Sequence, residues 1–81
     1  MITYYVVQAF LAGNKGFLIP EEPREARSEG HARLWAERLA EGRAGVVAFS
    51  RTGDPATGAY DDAAIICQFG LVPEAAIQMV S

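Results

Sequence analysis

The sequence predicts a small α+β domain, ββαββ in chain order, in which one helix packs on a largely antiparallel four-stranded sheet. Two runs rich in aromatic and β-branched residues, TYYVVQAFLA and AGVVAFSR, have the composition of strands and sit among Gly, Asn and Pro clusters. A segment between them places its apolar residues at helical spacing. The chain of 81 residues, 51 % hydrophobic and 21 % charged, has a globular composition with room for one core, so residues 1–81 are read as a single compact domain.

The first strand is followed by GNKG, whose Gly and Asn tolerate the positive φ angles of a tight hairpin, and the second strand, FLIPEEP, returns beside it. Pro20 and Pro23 have no N–H to give a ladder and confine this strand to an edge, where Glu21 and Glu22 discourage pairing with other chains. Ser28 is a suitable N-cap for the helix, Ala32, Trp35, Ala36, Leu39 and Ala40 form its apolar stripe, and Gly42 stops it. On its other side Glu29, Arg33, Glu37, Arg38 and Glu41 mix both signs, the pattern of a solvated face. AGVVAFSR is the third strand. Residues 63–71 fit two descriptions. Asp61 as a cap, Gly70 as a stop and Ile65, Ile66 and Phe69 suit a helix, whereas Ile65, Cys67, Phe69 and Leu71 alternate as in a strand; the β-branched pair and the short span favour a fourth strand. The tail from Ala75 onward is either a helical turn or an extended segment whose Ile77, Met79 and Val80 fold back on the sheet.

One helix covers one face of a sheet. With Tyr5, Val7, Ala9, Leu11, Val47, Phe49, Ile65, Cys67 and Phe69 toward the helix, the opposite face carries Tyr4, Val6, Phe10, Val46 and Ile66, interrupted by Gln8, Ser50 and Gln68. An apolar patch of that kind marks a contact surface, covered by the tail, a second copy or another protein.

Seven basic and ten acidic residues give a net charge of −3, the wrong sign for a protein that neutralises phosphates, which disfavours nucleic acid as a partner. The apolar start, Met1 to Ala12, is far shorter than the roughly 18 residues of a membrane span, so a cytoplasmic protein with no membrane association is expected. Cys67, the single cysteine, reads as an inert core thiol, His31 as a surface histidine in the first helical turn, and Trp35 as core.

The segment SRTGDPATGAYDDA raises the question of a ligand loop. Asp54, Asp61 and Asp62 lack calcium-loop spacing, and the glycines sit among aspartates that would repel phosphate. Turn chemistry fits better, yet a connection this long often carries binding residues. Asp61 and Asp62 are adjacent, so their side chains diverge in an extended segment and offer no acid–base pair. The candidate binding residues are therefore Tyr4, Val6 and Phe10 on the sheet and Arg51, Asp54, Tyr60, Asp61 and Asp62 in the connection, with no catalytic residue, metal or cofactor expected. The expected function is a non-enzymatic protein-interaction module, a homodimer or the binder of a protein partner; the alternative is small-molecule or anion binding by the 50–62 loop.

YYVVQAF, ARLWAERLAEGRAGVVAFSRTGDPATGAYDD and FGLVPE together resemble a family of small single-domain bacterial proteins of unknown function. The resemblance covers the whole chain, implies one soluble domain, and transfers no activity or site residue. A fainter likeness is to the sporulation-related repeat that binds cell-wall glycan, in which a strand similar to YYVVQA precedes an Ala- and Leu-rich helix and a strand similar to GVVAF. The chain departs from it by a strand inserted before the helix and by lacking an evident second half.

Overall fold

The computed structural model describes residues 1–74; the expected fold-back of the tail lies outside the described residues. In chain order the elements are β1 (Ile2–Ala12), a 3-10 turn (Asn14–Gly16), β2 (Leu18–Pro20), β3 (Arg24–Ala26), α1 (Glu29–Ala40), β4 (Gly45–Asp54), β5 (Ala59–Tyr60) and β6 (Ala64–Gly70). All strands join one antiparallel sheet: β2 and β3 both line one side of β1, β4 lines its other side, and β5 and β6 line the far side of β4. The α+β class and the helix-on-sheet arrangement hold. The expected second strand and the fourth one with the connection before it become broken pairs, which makes six strands of four.

The second strand breaks for a reason written in its prolines. Glu21 donates its N–H to the Ala9 carbonyl, so in an antiparallel ladder the preceding Pro20 turns its backbone outward, the position where a missing N–H costs nothing. Glu22 and Pro23 then leave the ladder, and pairing resumes at β3, where Ala26 lies opposite Tyr5. The β1–β2 hairpin closes through Lys15 and Gly16, both left-handed at φ 57° and 81°.

Helix α1 begins as expected: the Ser28 hydroxyl accepts the His31 N–H at 3.1 Å, and Glu29 stands in the first turn where the dipole favours it. Its buried residues are Ala32 and Ala36, which pack with Val7, Ala9, Ala26, Val46 and Ala48. Small side chains on both layers bring helix and sheet close together. Tyr5, Trp35, Leu39, Ala40, Ile66, Cys67 and Phe69 close the flanks of this core.

The ladder corrects the expected faces by one residue in β4. Ala9 lies opposite Val46 and Val7 opposite Ala48, so Val46 and Ala48 face α1, while Val47 and Phe49 face away. VVAF is apolar at every position, so its alternation carries no phase; the space beneath Ala32 and Ala36 decides it, since Ala48 fits there and Phe49 would not. In β6 a bulge falls where Ala48 pairs with Cys67 but Phe49 pairs with Ile65. Ile66, expected on the outer face, instead packs against the core, and Ile65 takes the outer face.

Candidate functional site

The sheet face away from α1 is built of cross-strand rows. From one end they are Ile2–Gly53–Tyr60, Tyr4–Arg51, Val6–Phe49–Ile65, Gln8–Val47–Gln68 and Phe10–Gly45–Gly70. Along β1 exposure falls from the Ile2 end to Phe10. Phe10 and Val47 are 3 % and 2 % exposed, so Phe10, expected as a contact residue, is packed inside the fold. Tyr4, Val6 and Phe49 are half-buried, and Ile2, Tyr60 and Ile65 are 46 %, 41 % and 43 % exposed.

Tyr4 and Tyr60 are the centre of the open end. Their ring centroids lie 6.3 Å apart at an interplanar angle of 47°, a tilted aromatic contact. Burial, and after it the neighbouring Tyr60, pushes the Tyr4 phenol above its ordinary range. Tyr60 owes its place to Gly53, directly opposite in the ladder: a Cβ at that buried glycine would run into the Tyr60 ring and the Ala59 carbonyl. Arg51 is half-buried beside Tyr4 on the same face.

The acidic connection is shorter than the sequence implied. β4 runs on to Asp54, β5 begins at Ala59, and the turn is only residues 55–58. The Asp54 carboxylate accepts the Ala56 N–H at 2.9 Å, and its carbonyl accepts the Gly58 N–H at 2.8 Å, so this aspartate is engaged in turn geometry. Asp61 donates its N–H to the Thr52 carbonyl at 2.8 Å, extending the ladder; the side chains of Asp61 and Asp62 are exposed. The structure thus brings Tyr4, Val6, Arg51 and Tyr60 to one face and leaves Asp54, Asp61 and Asp62 on its rim. Among the described residues no group of three His, Cys, Asp or Glu side chains is placed to hold a metal ion.

Sequence reasoning missed a second feature. Trp35 is half-buried, with the His31 ring stacked on it at 5.0 Å and the Arg24 guanidinium 5.6 Å from its centroid. A cleft of about 340 Å³ lies between Trp35 and Glu21, Glu22, Pro23 and Arg24, and a smaller one of about 150 Å³ between Trp35 and His31, Leu34 and Arg38. The i, i+4 spacing of His31 and Trp35 was the available signal. The first cleft is held by Glu21, whose carboxylate pairs with Arg43 and whose carbonyl accepts from the Gln8 side chain. The Arg43 guanidinium keeps the Glu21 carboxyl below the usual carboxylate range. Cys67 is half-buried beside α1, and burial pushes its thiol up.

No helix among the described residues is long and apolar enough to cross a membrane. Comparison with protein families, characterised proteins and solved structures finds no match to this chain.

Proposed function

We propose that this chain is a non-enzymatic protein-interaction module that docks a protein surface, its own copy or a partner's, on the sheet face opposite α1 at the Tyr4–Tyr60 end. One observation carries the reading. Where β1 and β4 run past the buried stripe of the helix, the helix side passes from Tyr5 opposite Ser50 to Thr3 opposite Thr52, and the two threonine hydroxyls bond each other at 2.8 Å. On the opposite side of the same stretch Ile2, Tyr4, Phe49 and Tyr60 surround a single charged side chain, Arg51. Solvent alone would favour polar residues on both sides, so the asymmetry supports a partner on one of them. Tyr, Phe and Ile with Arg51 among them also have the make-up of an interface centre, while Asp54, Asp61 and Asp62 would supply a charged rim.

Ile65→Lys and Tyr60→Lys test it, because both positions are substantially exposed. Burial of the exposed part of one such side chain is worth about 1–2 kcal/mol, so each variant is expected to weaken association by about tenfold or more. Sedimentation velocity across a concentration series reads self-association, and co-purification from the native host reads a partner. A chain that stays monomeric, and whose co-purifying proteins are the same for wild type and both variants, would overturn the reading.

A further inference from the structure

The two edges of the sheet are built to opposite standards. On the β2–β3 edge, Pro20 presents no N–H, Glu21 and Glu22 add charge, and Pro23 breaks the strand. On the other edge, β6 reads AIICQFG: it has no proline and no charge, and among the described residues no strand pairs with its far side.

We propose that β6 pairs antiparallel with β6 of a second copy about a two-fold axis at Gln68, joining two sheets into one. The inference uses the edge rather than the Tyr4–Tyr60 face, and its fate is independent of whether that face docks a partner.

The hydrogen-bond phase is set by the ladder. Ala9 faces β2, because its carbonyl takes the Glu21 N–H, so the neighbouring Gln8 faces β4. Val47, opposite Gln8, therefore faces β1, and Gln68, opposite Val47, turns its N–H and C=O away from β4. The bulge at Ile66 on one side and the left-handed Gly70, φ 65°, on the other confine the regular run of this edge to Cys67–Phe69, and Gln68 is its centre. Gln68 of one copy against Gln68 of the other exchanges both backbone bonds, and the exposed side-chain amides fall next to each other on the outer face, where each is donor and acceptor. The flanking positions pair Cys67 with Phe69, two half-buried apolar side chains on the helix side.

A second copy suits this edge better than an unlike strand. The seam carries no charge, so two chains of net charge −3 meet there without like charges placed opposite.

Gln68→Pro removes the outward N–H while leaving every bond to β4, and Gln68→Lys leaves the backbone intact but sets two like charges on the axis. Sedimentation velocity of the full chain is expected to show a reversible dimer, weakened at least about tenfold by either variant, with circular dichroism and the melting temperature at high dilution unchanged. Hydrogen exchange at the Gln68 amide is expected to slow as protein concentration rises. A chain monomeric throughout, or a Gln68 amide whose exchange ignores concentration, overturns the proposal. Dimers unaffected by both Gln68 variants but abolished by Tyr60→Lys also overturn it and assign the association to the sheet face instead.

Discussion

Replacing Phe10 with alanine separates the structural part of the outer face from its contact part. A phenylalanine carries roughly 150–250 Å² of surface, nearly all of it apolar. Phe10 is 3 % exposed, with Pro20 and Gly45 opposite it in the ladder, so truncation removes most of that burial and leaves a void. Transfer and cavity terms together predict a loss of about 3–5 kcal/mol. A domain of this size has roughly 4–12 kcal/mol in total, so the variant is expected to melt more than about 10 °C lower, or to unfold. Val6→Ala, on the same face but half-buried, is expected to cost about 1 kcal/mol or less. Urea unfolding followed by the fluorescence of Trp35, the single tryptophan, reads both. A loss below about 1 kcal/mol for Phe10→Ala would refute the burial argument and return Phe10 to the contact set.

Gly53→Ala is expected to displace Tyr60 from Tyr4; ultraviolet titration then shows the Tyr4 phenol ionising closer to the ordinary tyrosine range, because one of the influences raising it is gone. Glu21 ionises below its ordinary range in the fold, so its pairing with Arg43 stabilises the protein above the unfolded-state pKa and is lost as pH falls through the lower folded one. Glu21→Gln should therefore flatten the acid limb of a melting-temperature profile, and an unchanged limb would count against the pair. Cys67, its thiol raised by burial, is expected to react with a disulfide reagent more slowly at neutral pH than a free cysteine and to gain rate on the alkaline side.

Much of the fold was legible because local chemistry and tertiary packing agree. The Ser28 cap, the Ala32–Ala36 stripe and the outward Pro20 each follow from one residue's own constraints. The faces of β4 were not legible: GVVAFS has apolar residues at both phases, and only pairing with Val7 and Ala9 beneath the alanine surface of α1 selects one. The Ile65–Ile66 bulge hides for the same reason, since either isoleucine satisfies either face. At the site, Tyr4 and Val6 were read on the sheet and Arg51 and Tyr60 in a separate connection; they share one face because β4 continues past Arg51 to Asp54 and leaves a short turn where the sequence implied a loop. The Trp35 clefts escaped notice because an aromatic residue at a stripe's margin reads as core until its flanks are known.

Element lengths explain why the proposed contact lies at one end. The 12 residues of α1 span about 18 Å, whereas the 11 of β1 span about 36 Å, so the helix covers about half of the strand. Its buried alanines pack with Val7, Ala9, Val46 and Ala48, which puts the uncovered half at Ile2–Tyr4 and Arg51–Asp54, with β5 alongside. On that ribbon the helix side is already Thr3 opposite Thr52, and threonine suits a solvated strand. Tyr60→Thr and Ile65→Thr would give the outer side the same character without adding charge. If those side chains serve a partner, association should weaken by about tenfold while the melting temperature shifts by no more than a few degrees. If they serve the fold, the melting temperature falls and association is lost only in step with it. That second outcome would leave the ribbon with no partner to explain its lopsided chemistry.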